Sequence, residues 1–442
     1  MVPRHTSKSS AVSGAHATGA ALQPEASVYR VALLGFGTVG RSVAKILCER
    51  ALPSLRLTHI YNRNIERKKI AGLPADICWT ENFDEVLGAG VDLVVEVVGG
   101  LEPAGQWVRR ALEHGKSVVT ANKQLIAHRG VELLEVARAC GQQLYFGASV
   151  AGGIPVLSGL QEGLAGDQLY KVCGILNGTC NYILSQVENA GIPFAVALRE
   201  AQQAGFAEAD PTDDVDGYDA RAKLAILAYA GLNTQVQLDQ ILCRSIREVD
   251  AVDFTYAHQV NCTIRQISRA EVHGNQLLAA VQPALVPFES PLARVLGSQN
   301  LVVATGQYGA ETVFSGYGAG GNPTAVAIVS DLLAIAQRSP ARHAGAPTPI
   351  TARKVSADFT TPHYVRFTVS DRPGIIAALA TIFAKHGINI DAIFQKTGFP
   401  KDQLAFVITL ESCPAAVMNQ ALAEIEALDF HVRQPLHLPV LR

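Results

Sequence analysis

Long apolar runs are missing from this 442-residue chain. No stretch of roughly 18 uninterrupted apolar residues occurs, which excludes a membrane-spanning helix. Charge is scarce as well: Asp, Glu, Lys and Arg make up 17% of the residues and sum to a formal −2. There is no basic stripe with interleaved aromatics, so nucleic acid is not an expected partner. The eight cysteines (Cys48, Cys78, Cys140, Cys173, Cys180, Cys243, Cys262 and Cys413) form no C-x-x-C pair, and no His cluster has ligand spacing. That excludes a structural zinc site and predicts buried, reduced thiols in a cytosolic protein.

The 48% apolar content, by contrast, supports large buried cores, and the length fits two or three domains. Residues 1–28 are rich in Ser, Ala, His and Gly, with no apolar h-region. They are read as a disordered tail, with an organellar transit peptide as the alternative to a cytoplasmic location.

The ordered chain opens on an apolar run, Val28 to Leu34, followed at once by Gly35-Phe36-Gly37-Thr38-Val39-Gly40 and a helix over 41–50. Further strands are expected over 57–61, 91–98 and 117–120, with a helix over 104–114. Alternating apolar strands and helices predict a Rossmann-type, doubly wound parallel sheet over 29–155. In that setting each glycine of G-x-G-x-x-G has a job. The first permits a tight turn, the second lets backbone approach a pyrophosphate, and the third lets helix and strand pack closely. The helix N-terminus then offers unpaired N–H groups to the phosphates. The second strand ends at Tyr61-Asn62-Arg63, with no acid to grip a ribose 2′-hydroxyl. Arg63, backed by Arg67 and Lys68, suits a 2′-phosphate, which favours NADP and leaves NAD open. Thr120-Ala121-Asn122-Lys123 lies past a strand end, where such sheets hold ligands.

Over 156–337 the pattern changes to an α+β unit. It has strands over 171–176, 277–285 and 301–305, and helices over 177–188, 194–204 and 219–230. Asn322-Pro323 begins a helix to Ala336 that is expected to return to the nucleotide-binding unit. The richest stretch runs from Ala201 to Lys223, with five Asp and one Glu between Glu208 and Asp219. Asp219 and Lys223 stand four apart at a helix start and share one face. That helix continues through apolar residues, so Lys223 enters a buried helix beside acids, a setting for a proton carrier.

The pattern A-x3-G-F-A-E-x-D-P-x2-D-V-x-G-x-D-x3-K here resembles the homoserine dehydrogenase family signature. Ala148-Ser149-Val150-Ala151-Gly152-Gly153-Ile154-Pro155 and Ile175-Leu176-Asn177-Gly178-Thr179-Cys180-Asn181-Tyr182-Ile183 are similar to family segments too. The likeness spans about residues 30–335. It implies interconversion of L-aspartate 4-semialdehyde and L-homoserine, a step toward threonine, methionine and isoleucine. It also implies that Lys223 is the acid/base, that Glu208 and Asp219 bind substrate, and that Lys123 sits beside the reacting centre and cofactor. Gly205 and Gly320 would lie near the cofactor. Carbonyls of Gly147, Val150, Gly152 and Ile154 would hold a monovalent cation, sodium by preference. The family usually carries Glu where Gly147 stands, which leaves open whether the cation site is weakened. With no kinase domain before residue 30, a monofunctional enzyme is expected. The rivals are a dehydrogenase of another small amino or hydroxy acid and a catalytically silent amino-acid sensor.

Residues 338–361 read as a polar linker. Over 362–442 a βαββα-like unit with a last strand at 431–433 carries Val369-Ser370-Asp371-Arg372-Pro373-Gly374-Ile375, then Asn389-Ile390-Asp391. It resembles an ACT domain, ferredoxin-like. The likeness implies an amino-acid effector at Asp371 and Gly374, threonine by pathway logic, and a homodimer or homotetramer.

Overall fold

The computed structural model describes residues 28–68, 72–337 and 350–441. The expected tail before Val28, and residues 338–349 of the expected linker, lie outside the described residues.

The first sheet has the order β3-β2-β1-β4-β5-β6 and is wholly parallel. Its strands are β1 (Tyr29–Leu34), β2 (Leu55–Tyr61), β3 (Cys78–Thr80), β4 (Leu93–Glu96), β5 (Ser117–Thr120) and β6 (Leu144–Tyr145). A parallel sheet is covered on both faces, so its strands are apolar throughout. Val31 and Leu33 enter a core with Leu332 and Ala325, while Ala32 and Leu34 enter another with Val108 and Leu112. The helix Gly321–Gln337 supplies the first core's outer wall and packs on the helix Thr38–Glu49. The chain order reverses between β1 and β4, the crevice where such folds hold ligands.

The second sheet is mixed and runs β12-β11-β7-β9-β10-β13, with β8 added beside β10. Its strands are β7 (Leu169–Ile175), β8 (Leu242–Cys243), β9 (Cys262–His273), β10 (Gln276–Pro287), β11 (Gln299–Gly306), β12 (Ala310–Tyr317) and β13 (Lys354–Ser356). The helix Tyr218–Leu232 lies between this sheet and the helix Lys123–Ala139. Its buried positions fall all around the axis, Ala220, Ala222, Leu224 to Ala228 and Ala230 among them. A helix apolar on every side is an interior helix.

The third sheet, β15-β16-β14-β17, is antiparallel and carries the helices Ile375–Lys385 and Ala415–Glu426. Its strands are β14 (Thr360–Val369), β15 (Ile390–Gln395), β16 (Leu404–Pro414) and β17 (His431–Pro439). β17 is much longer than the three residues expected for it.

All eight cysteines are free, but the expectation that they are buried holds only for Cys173, Cys180, Cys262 and Cys413. Cys78 lies on the short β3 and Cys140 at a helix end, and both are exposed. No helix among the described residues is long and apolar enough to cross a membrane.

Candidate active site

The glycine loop closes β1 onto its helix as the spacing demands. Gly35 has φ +100°, a conformation that a side chain strains, and a Cβ there would stand 2.9 Å from the Val97 carbonyl oxygen. A Cβ on Gly40 would overlap the Gly35 carbonyl oxygen, whereas one on Gly37 would meet nothing. Gly37 caps the helix Thr38–Glu49 without a side-chain hydrogen bond, so the first-turn N–H groups stay open. An uncapped helix start with open space at its second glycine fits a dinucleotide phosphate. The Phe36 N–H donates to Asn62 Oδ1 at 3.1 Å, which ties the loop to the end of β2. Arg63 follows, exposed and without an ion pair among the described residues. Gly320 has φ +115°. Its neighbour Gly321 lies against the same helix, where a Cβ would stand 3.1 Å from the Thr38 carbonyl oxygen.

Where β4 and β5 end side by side, a buried carboxylate organises the backbone. Glu96 accepts from the Val98 and Gly99 N–H groups at 2.7 and 3.0 Å and from Thr120 Oγ1 at 2.6 Å. Thr120 Oγ1 accepts from the Asn122 N–H, and Asn122 caps the next helix through Leu125 N–H. Lys123 is the first residue of that helix and is thereby aimed across the cleft.

Across the cleft stands Asp219, its side chain 5% exposed. One oxygen pairs with Lys123 and the other with Lys223 Nζ at 2.7 Å. Lys223 also donates to the Leu176 carbonyl at 2.8 Å, just past the end of β7. Asn177 caps the helix Gly178–Ala190 with its Oδ1 and donates with its Nδ2 to Asp219 at 2.9 Å and Asp214 at 2.6 Å. Burial alone would raise the Asp219 pKa, but Lys223 and Lys123 hold it well below the usual carboxylate range. Burial also works against the charge of Lys123, yet Asp219, Asp214 and Asp213 outweigh it and hold its ammonium form above the ordinary lysine value. Asp214 is pushed up, first by its own burial and then by Asp219, with the Asn177 hydrogen bond pulling the other way.

The structure thus brings Lys123, Asp219 and Lys223 into one bridge. It does not bring Glu208 into contact with them. Glu208 is exposed on the loop after the helix Phe194–Gln203, where Gln202 Nε2 donates to its carbonyl at 3.0 Å. Gly205 turns that loop with φ +76°, and the next residue, Phe206, accepts from Thr179 Oγ1. Asn177 and Asp214 are members of the site that residue types alone did not single out. Asn177 looks like an ordinary helix cap, and Asp214 is one acid among six.

The loop after β6 carries Gly147, Val150, Gly152 and Ile154. The Ile154 carbonyl is already taken by the Val156 N–H at 2.7 Å. No donor among the described residues reaches the carbonyls of Val150 and Gly152, both buried residues. Unpaired carbonyls in buried residues fit a cation. Gly147 has a steric cause: its N–H donates to Asp331 Oδ2 at 2.8 Å, and a Cβ there would stand 2.8 Å from Asp331 Oδ1. Burial pushes Asp331 up to about 7. No group of three or more His, Cys, Asp or Glu residues among the described residues is placed to hold a metal ion.

In the third unit, Asp371 is exposed, and its N–H donates to the Lys401 carbonyl at 2.6 Å. Gly374, with φ +96°, caps the helix Ile375–Lys385.

Comparison with known proteins agrees across the chain. Residues 35–147 match the family described as homoserine dehydrogenase, NAD binding domain. Residues 155–333 match homoserine dehydrogenase, and residues 363–430 match the ACT domain. A homoserine dehydrogenase of Mycobacterium tuberculosis is 41% identical over 422 residues, covering 90% of this chain and 94% of the relative. The crystal structure of a homoserine dehydrogenase from Thiobacillus denitrificans superposes with a TM-score of 0.86 at 33% identity, over 93% of this chain and 98% of that one. A hyperthermophilic archaeal homoserine dehydrogenase mutant in complex with NADPH gives 0.60 at 26% identity, over 69% and 96%.

Proposed function

This chain belongs to the homoserine dehydrogenase family of oxidoreductases and ends in an ACT domain, and we propose that it interconverts L-aspartate 4-semialdehyde and L-homoserine with NADP as the preferred nicotinamide. The observation that carries the reading is the Lys123–Asp219–Lys223 bridge at the C-terminal end of β5, beside the glycine loop's sheet. The preference for NADP rests on the unpaired Arg63 at the end of β2, and the NADPH-bound archaeal relative is consistent with it.

When bound, the nicotinamide supplies or takes the hydride. The protein's own part is electrostatic and geometric. Reduction puts negative charge on the aldehyde oxygen, and Lys223 gives that oxygen a proton, then regains one from solvent. Lys123 adds a second cationic donor. Asp219 keeps both amines in place. The substrate's ammonium group needs carboxylates: Asp219 is in the cleft, and the Glu208 carboxylate has no partner among the described residues. Carbonyls of Gly147, Val150, Gly152 and Ile154 would hold sodium, with Val150 and Gly152 the ones left unpaired. Residues 29–155 together with the helix Gly321–Gln337 serve as the nucleotide unit, 156–337 as the catalytic and dimerisation unit, and 362–442 as the regulatory unit. In this reading threonine binds at the Asp371 to Gly374 loop and restrains turnover within a cytoplasmic homodimer or homotetramer.

Lys223→Ala tests the assignment. Turnover in both directions disappears while NADPH binding, measured by fluorescence titration, stays near the native value. Undiminished turnover in the purified variant refutes the role.

A further inference from the structure

Where the third unit meets the second sheet there is a cavity of about 250 Å3, far larger than one water requires. Arg244, just past β8, lines it together with His363, His437, Asn419, Gln282 and Asp358. Arg244 is half-buried and has no carboxylate in contact; Glu426 acts on it only through space.

The neighbours leave that charge uncompensated. His363 Nε2 faces the Cys413 carbonyl at 3.1 Å, so it carries the hydrogen. His363 Nδ1 is then the acceptor, and His437 Nε2, 2.9 Å away, must donate to it. His437 Nδ1 in turn accepts from Arg244 at 2.9 Å. The relay is complete with both rings neutral, and burial pushes both imidazole pKa values down. Asn419 Oδ1 accepts a second Arg244 hydrogen at 3.2 Å. Of five guanidinium N–H groups, three remain. On the same cavity wall Asp358 is exposed and spends one oxygen on the Ala416 N–H at 2.8 Å. A cation without a counter-ion and a carboxylate with a free oxygen thus line one small space.

We propose that this cavity is a binding site for a small zwitterionic amino acid, its carboxylate on Arg244 and its ammonium group on Asp358. The site is separate from the Asp371 to Gly374 loop and does not depend on the dehydrogenase reading, because binding itself is the readout.

Isothermal titration calorimetry on the full chain tests it, with glycine, L-alanine and acetate as probes, none of them the threonine assigned to the Asp371 to Gly374 loop. Both amino acids bind the native protein, and acetate binds more weakly. Arg244→Gln weakens all three on the order of 10- to 100-fold, the usual effect of losing hydrogen bonds to a charged group. Asp358→Asn, an exposed change that the fold accepts, weakens the amino acids about 10-fold and leaves acetate unchanged. Asp371→Ala leaves all three unchanged. No heat from either amino acid up to millimolar concentration overturns the proposal. So does binding that survives both Arg244→Gln and Asp358→Asn, or binding abolished by Asp371→Ala.

Discussion

Asp219→Asn strikes the pivot of the site. Asp219 is shared by two ammonium groups and lies almost wholly out of water. The lysines hold it ionised well below the usual carboxylate range, so the amide variant differs by a full charge at any working pH. Removing one partner of a buried ion pair costs about 3–5 kcal/mol. Losing that carboxylate also lowers the proton affinity of an ammonium group it had favoured. Lys123 is the clearest case, because Asp219 is the first of the carboxylates that hold its ammonium form above the ordinary lysine value. Aldehyde reduction needs the protonated amine, so activity is lost as pH rises past its pKa. In NADPH-dependent reduction of aspartate semialdehyde followed from neutral to alkaline pH, the variant's alkaline limb therefore moves to lower pH. Stability carries a matching sign. A depressed native pKa gives stabilisation that is present above the unfolded carboxylate value and lost as pH falls toward the native one. The native protein therefore loses stability in acid that the variant, with no carboxylate to protonate, does not. An alkaline limb that stays put while only the maximal rate drops would refute the idea that Asp219 sets the charge of the amines.

The glycine loop predicts a contrast. Gly37→Ala meets no protein atom, so it keeps its melting temperature but lowers NADPH affinity by an order of magnitude or more in a fluorescence titration, since the methyl takes the space left for phosphate. Gly40→Ala collides with backbone and costs about 1–3 kcal/mol of stability in denaturant unfolding. Arg63→Ala weakens NADP about 10- to 100-fold and leaves NAD nearly unchanged, measured as separate KM values. Gly147→Ala is destabilised by about 1–3 kcal/mol because its Cβ meets Asp331, and the same change in an Asp331→Ala background costs little, a coupling that unfolding curves of the two single variants and the double variant measure.

Much of this was legible in the residues. β1, β4 and β5 are apolar because both faces of a parallel sheet are covered, and such runs are easily read. β9 was not expected, because its buried positions include Thr263, Arg265, Gln266 and Ser268. Arg265 is tolerated there by a 2.8 Å pair with Glu188, a residue on a distant helix. β12 is an edge strand, exposed at alternate positions, and β3 spans three residues, so neither makes a strong apolar signal. In the site, the i,i+4 spacing put Asp219 and Lys223 on one face, and the structure has them paired. The Lys123 partnership crosses 96 positions of sequence and needed the fold. The same holds for Asp331, which explains Gly147 from 184 residues away.

The acidic loop and the ACT unit grip one segment from opposite sides. On the loop side, Ser245 Oγ and Arg247 Nε donate to Asp216 Oδ1 at 2.6 and 3.0 Å, and Ile246 N–H donates to the Val215 carbonyl at 3.1 Å. On the other side, Arg366 donates to the Glu248 carbonyl at 2.8 Å, and Arg244 reaches His437 and Asn419. Asp253, a few residues on and fully buried, pairs with Arg366 and accepts from Tyr364 at 2.8 Å each. Tyr364, Val407 and Leu438 of the third sheet share a core with Ile183, Leu184 and Phe254. A module tethered only by a linker would turn a polar face to its neighbour; this one shares a dry core and a buried ion pair. Parting the two units would expose that shared apolar core to water, and this is the larger cost. The unit therefore cannot shift against the catalytic sheet without moving 243–250. That segment holds Asp216, three residues before the carboxylate on which both lysines depend.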